Sequence, residues 1–253
     1  MKKVCSVILA VLCVIPILAV FAGAEENDTV VCGNINELSE FIFEGGSGEI
    51  TIAPAILNDG SGSRDVYLVA ALGMTFDMKK PNNMIAAVLT AFNVKTEYYK
   101  IVKAAILGNV PANSELLLMG HSLGGMVMQQ IMSDNDVTDV YEITSVVTIG
   151  SPYVMTPCKP KEGNLTRFAD RFDAVPKLSP ALFFNIKSYF DATTENGGYF
   201  GDPDRAHNRS YRDAEVWNKY DVLGRPDGQA SFSYSPSEVI GISAQKKQKN
   251  VYC

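Results

Sequence analysis

The sequence predicts an α/β domain, a mainly parallel central sheet with helices on both faces. Three observations carry this. Short apolar runs bounded by turn residues alternate with stretches of three-to-four helical spacing, the order that builds parallel sheets. One apolar run, Leu116-Leu117-Leu118-Met119, leads directly into Gly120-His121-Ser122-Leu123-Gly124, a Gly-x-Ser-x-Gly pattern that opens a helical stretch. Small and polar residues then follow the predicted strands, namely Gly73 to Thr75, Ser122, Ser151 and Asp173, where open α/β sheets gather functional groups.

In order along the chain, residues 50–56 and 66–72 read as strands, and residues 94–107 as an amphipathic helix. Residues 115–119 form a buried strand, and Leu123, Met126, Val127, Gln130 and Ile131 mark one face of the helix after it. Residues 143–149 and 165–168 are two further strands. Beyond Val175-Pro176 turn signals dominate, at Pro180, Asn196-Gly197-Gly198, Asp202-Pro203 and Pro226-Asp227-Gly228, with one helix expected over 213–223. No repeat interrupts this order, and residues 25–253 are of a length for one domain.

Met1-Lys2-Lys3, an apolar stretch from Val4 to Phe21 and Ala22-Gly23-Ala24 before Glu25-Glu26 make a secretory signal peptide, 1–24, cut after Ala24. A secreted protein is therefore expected, an uncleaved membrane anchor being the less favoured reading. With 28 acidic against 22 basic residues, the net charge of −6 argues against nucleic acid and anionic membranes as partners. Lys246-Lys247-Gln248-Lys249 reads as a solvated tail. Cleavage leaves Cys32, Cys158 and Cys253, an odd, scattered set that permits one disulfide without choosing the pair and lacks metal-ligand spacing. Two histidines in the whole chain reinforce the expectation of no structural zinc, and no cofactor motif is present.

A serine between a strand and a helix must turn so sharply that only small residues fit two positions away on either side, here Gly120 and Gly124. Ser122 is the candidate nucleophile. Its hydroxyl needs a base, and the base needs an orienting acid. His121, adjacent to the serine, points away from the hydroxyl, which leaves His207 in Asp204-Arg205-Ala206-His207-Asn208. The acid belongs after a strand between the elbow and the histidine. Asp173 meets that condition, with Asp170 next and Asp191 and Asp202 open. For the oxyanion, the N–H of Leu123 is the first donor and Met74 or Thr75, after the 66–72 strand, supplies the second.

These segments resemble the class 3 lipases, an α/β-hydrolase family. The match is carried by Val69-Ala70-Ala71-Leu72-Gly73-Met74-Thr75, Gly120-His121-Ser122-Leu123-Gly124-Gly125, Thr148-Ile149-Gly150-Ser151-Pro152, and Asp173-Ala174-Val175-Pro176 followed by His207 and Tyr211, over about residues 50–211. Leu72 stands where the family often carries arginine, and Met74 is an extra residue before Thr75. The resemblance implies an α/β-hydrolase fold and hydrolysis of carboxylic esters, with lipids as the expected substrates and transient contact at a lipid surface. Residues 78–92, where relatives carry a lid, read either as a cover for the site or as the start of a packed helix. A serine peptidase or thioesterase on the same fold stays open, as does a non-catalytic secreted binding protein.

Overall fold

The computed structural model describes residues 28–155, 164–184, 186 and 190–245. The predicted signal peptide, Cys158, Cys253 and the lysine-rich tail lie outside them.

Apart from short helical turns, among them Asn135–Thr138, Val175–Leu178 and Ala181–Phe184, the described elements run β1 (Val30–Cys32), α1 (Ile35–Glu44), β2 (Ile50–Asn58), β3 (Ser63–Ala71), α2 (Met84–Ala91), α3 (Glu97–Asn109), β4 (Glu115–His121), α4 (Leu123–Ile131), β5 (Glu142–Ile149), β6 (Asn164–Asp170), β7 (Thr193–Glu195), α5 (Pro203–Asn208), α6 (Ser210–Asp213), β8 (Ser231–Tyr234) and β9 (Ile240–Ile242). Sheet order is β1-β8-β2-β3-β4-β5-β6-β7, with β9 also on β2. From β3 to β7 every pairing is parallel, while β2 pairs antiparallel with β3, β8 and β9.

The period of two along β4 explains the layering. Leu116 and Leu118 face a core shared with α2, α3 and α4, whereas Leu117 and Met119 face a second core beneath α1 that also holds Trp217 and Phe232. A strand covered on both faces must be apolar throughout, which is why this run does not alternate with polar residues. The helix expected from residue 94 begins at Glu97, because the Thr96 side chain caps it by accepting from the Tyr99 N–H.

The structure corrects one element outright. Residues 213–223 do not form one helix: Ala214 is extended, a single 3-10 turn covers Glu215–Trp217, and the chain then reverses. The reversal is organised by the buried Asp221 carboxylate, which accepts from the N–H groups of Leu223, Arg225 and Ala230 and from Arg225 Nε. The apolar spacing that suggested a helix reflects Trp217, Tyr220 and Val222 packing beneath the sheet from an irregular segment.

Candidate active site

Ser122 lies between β4 and α4 at φ 54°, ψ −122°, a left-handed conformation that costs a non-glycine residue about 1–3 kcal/mol. The surroundings hold it there. Its N–H donates to Ile149 O at 3.0 Å, and its carbonyl accepts from the Ser151 hydroxyl at 2.9 Å. The flanking glycines are required by close approach. A Cβ on Gly124 would lie 2.1 Å from Ala71 O, and one on Gly120 would lie 2.6 Å from Gly124 C.

His207, at the end of α5, places Nε2 3.1 Å from Ser122 Oγ and Nδ1 2.9 Å from Asp173 Oδ2. A carboxylate only accepts, so the proton sits on Nδ1 and leaves Nε2 to accept from the serine hydroxyl. Asp173, fully buried, also accepts from the Tyr211 hydroxyl at 2.9 Å and from the Val175 N–H at 2.8 Å. Gly150 makes room for this junction: it has φ 58°, and a Cβ there would lie 3.0 Å from Asp173 Oδ2 and 3.1 Å from His207 Nδ1. That explains the glycine of the Gly150-Ser151-Pro152 segment.

The other aspartates are elsewhere. Asp170, also buried, accepts from Phe172 and Gly197 N–H groups and from the Ser210 hydroxyl, with no bond to His207. Asp202 caps α5, and Asp191 is exposed. His121 donates from Nε2 to the His207 carbonyl at 3.0 Å. Burial first, then the nearby His207 and Arg212, hold its pKa well below the usual 6.5 for an imidazole, so it is a neutral donor.

At the candidate oxyanion position, Leu123 N–H is the first of α4 and has no intrahelical acceptor. Of the two residues considered for the second donor, the Thr75 N–H is committed to Asn82 O at 2.9 Å. This removes the Thr75 amide from the expectation, leaving its hydroxyl on the cavity wall. Met74, beside Gly73, is then the backbone donor compatible with that bonding. The loop is held from behind by Asn82, whose Nδ2 donates to Gly73 O at 3.0 Å. Sequence reasoning missed Asn82 and read neither its clamp nor the stacking partner Phe43, whose contact with His121 depends on tertiary placement.

A cavity of about 720 Å³ opens over Ser122. Met84, Ala87, Val88 and Ala91 line it from one face of α2, together with Met126, Pro152, Val175, Leu178, Asp204 and Asn208. Within residues 78–92, Asn82 and this face of α2 thus form part of the cavity wall. The helix buries Ala86 and Ala91 inward and leaves Ile85, Val88 and Leu89 exposed, and Phe76, Leu178, Phe183 and Phe200 add exposed apolar surface. Among the described residues no group of three or more His, Cys, Asp or Glu is arranged to hold a metal ion, and no helix is long and apolar enough to cross a membrane. Cys32 is a buried free thiol.

A PGAP1-like alpha/beta domain family matches residues 77–189. With β4, the elbow and α4 inside that match and the parallel strands on either side, the fold is settled. The chain has an α/β-hydrolase fold. No curated protein matches it significantly. Among solved structures, Lip2 lipase from Yarrowia lipolytica is similar at 14% identity with a TM-score of 0.28, over 51% of this chain and 57% of the lipase. The chain thus spans little more than half the length of that relative.

Proposed function

We propose that this protein is a serine hydrolase that cleaves carboxylic esters with apolar acyl groups, a lipase or esterase. The observation that carries the reading is the unbroken hydrogen-bonded series Ser122–His207–Asp173 at the mouth of an apolar cavity. Ser122 Oγ attacks the ester carbonyl carbon as its proton passes to His207 Nε2, while the carbonyl π pair moves onto oxygen and meets the N–H groups of Leu123 and Met74. Collapse of this adduct breaks the bond to the alcohol, which leaves with the proton from the His207 imidazolium. The acyl group then sits on Ser122. Water repeats the sequence, its proton going to His207 and then back to Ser122 Oγ as the carboxylic acid departs. Asp173 stays a carboxylate throughout and stabilises the imidazolium.

The apolar lining supports an acyl chain, and the exposed apolar side chains around α2 and at Phe76, Leu178 and Phe183 support contact with a lipid surface. The signal-like residues 1–24 support export. A fluorophosphonate probe tests the nucleophile directly. Wild-type protein is expected to become labelled and to hydrolyse p-nitrophenyl esters, and Ser122→Ala to do neither. Equal labelling of the two, or none of the wild type, refutes the proposal. A parallel panel of thioesters and peptides is expected to turn over more slowly than esters of the same acyl group.

A further inference from the structure

We propose that His121 is a positioning residue for the His207 base, fixing where the imidazole Nε2 stands over Ser122 through one hydrogen bond and one ring face. The inference rests on the serine hydrolase reading above.

His207 sits on a helix of six residues, and its side chain is 13% exposed. The Asp173 bond fixes Nδ1, but the 3.1 Å bond at Nε2 is to the reacting Ser122 hydroxyl itself, so during reaction the ring depends on other contacts to keep it from swinging about Nδ1. Two contacts from His121 remove that freedom. Its Nε2–H donates to the His207 carbonyl at 3.0 Å, which fixes the backbone from which the ring projects. Its ring lies against that of His207, with centroids 4.5 Å apart and planes inclined by 39°. His121 itself is 3% exposed.

The support continues behind His121. Phe43 of α1 lies with its ring centroid 4.7 Å from that of His121, and the Arg212 guanidinium of α6 lies 4.7 Å from the Phe43 centroid on the way to Glu44. The base is thus backed by layers from the sheet, α1 and α6. On its other edge His121 Nδ1 faces Gly73, where a Cβ would come within 3.0 Å, so the same imidazole fills the space between the base and the oxyanion loop. Charge is consistent with this role. The titratable groups facing His121 are His207 from α5 and Tyr211 and Arg212 from α6, the arginine paired with Glu44, and the buried ring stays neutral. When His207 takes the serine proton, its stacked neighbour adds no opposing positive charge.

Substitutions separate the two contacts. His121→Gln keeps an N–H donor of similar reach without the ring, and His121→Phe keeps a ring without the donor. His121→Leu, also lacking the donor, is the parallel variant should the phenylalanine protein fail to fold. Thermal midpoints identify the folded variants, and kcat and KM are measured on one soluble ester. Displacing a reacting group by about 1 Å costs on the order of 100-fold, so a loss approaching that is expected in kcat for His121→Phe, with KM nearly unchanged. His121→Gln should recover kcat to within about threefold of wild type, since the bond that fixes the backbone is restored. Equal kcat for the glutamine and phenylalanine variants, or a loss confined to KM, overturns the proposal. A wild type that neither turns over ester nor reacts with fluorophosphonate overturns the hydrolase reading instead.

Discussion

Asp173→Asn is the sharpest test of how the site works. The carboxylate receives three donors: Val175 N–H on Oδ1 at 2.8 Å, and His207 Nδ1 and the Tyr211 hydroxyl on Oδ2, each at 2.9 Å. An asparagine keeps one acceptor oxygen, and the Val175 N–H claims it, since an amide NH₂ there would set donor against donor. The NH₂ then faces His207 Nδ1, which must give up its proton and accept. The proton moves to Nε2, which now points a donor at Ser122 and no longer serves as base. A wrong-tautomer change of this kind lowers kcat by about 10⁴, or about 5.4 kcal/mol of barrier at 1.36 kcal/mol per decade. The volume is conserved, but the buried Tyr211 hydroxyl, already accepting from the Asp170 N–H, loses the acceptor of its own proton, so a stability loss of about 1–3 kcal/mol is expected. The assay is kcat on a soluble p-nitrophenyl ester, with urea unfolding to confirm the folded state. Asp170→Asn serves as the control, since Asp170 has no bond to His207 and the variant should stay within about tenfold of wild type when folded. A loss under 100-fold from Asp173→Asn, or an equal loss from both, would refute the assignment.

Three further outcomes follow from the same geometry. Tyr211→Phe leaves the buried Asp170 N–H without its acceptor at 2.9 Å and removes a donor from Asp173, so urea unfolding should report a loss of about 1–3 kcal/mol; unchanged stability would show that Asp170 finds another acceptor. His121 is held neutral in the fold below the pH where the unfolded imidazole, near 6.5, takes up a proton, so its contribution is complete above pH 6.5 and is lost as pH falls below it. Stability should decline there by up to about 1.4 kcal/mol per pH unit from this group, and folded His121→Phe should show a shallower decline between pH 6.5 and 5; identical slopes would contradict the buried neutral state. Finally, α2 is tied at both ends, by Asn83 to Met78 and Lys80 carbonyls, by Met155 N–H to Ala91 O and by Gln130 to Asn93 and Val94. Activity on a short-chain ester should therefore cross the substrate's solubility limit smoothly, and a jump of about tenfold or more would show instead that this segment opens as a lid.

The parts of the site that sequence made legible share a physical reason. Gly120, Gly124 and Ser122 are local, within one strand-to-helix turn, and the turn's steric demand is written in consecutive residues. His207 could be reached by elimination because the chain has two histidines, and Asp173 by its place after a strand. The strands β4 and β5 and the ends of β3 and β6 were visible because each carries an apolar, buried run, whereas β7, three polar residues at the sheet edge, was not. In the antiparallel half β2 was read over 50–56, but β1, β8 and β9 were not, because they have three, four and three residues and such short pairings are decided by distant partners. Helix α1 is a different case. Asn34 caps it, and Ile35, Leu38, Phe41 and Ile42 are buried at helical spacing, a signal present in the sequence and passed over. The choice between Met74 and Thr75 as second oxyanion donor was out of reach, since only the fold shows that Asn82 O takes the Thr75 N–H.

Chemistry and substrate choice draw on different parts of this fold. The Gly73 loop, Ser122 and Asp173 follow β3, β4 and β6 of the parallel half, where β3 to β6 fix one another through paired backbones, so their relative positions are set by the sheet. The cavity walls come from α2 and from the segment holding Val175 and Leu178, which contribute side chains while leaving the sheet register untouched. A change at Ala87 or Ala91 alters the room for an acyl chain without moving Ser122. The reverse does not hold, because Gly124 touches Ala71 and Gly73 touches His121 and Ser122, so bulk added at the elbow displaces strand ends. On the proposed hydrolase reading, the reaction would be fixed by backbone packing and the acyl group by replaceable side chains, which is why the first was readable from a short motif and the second required the assembled cavity.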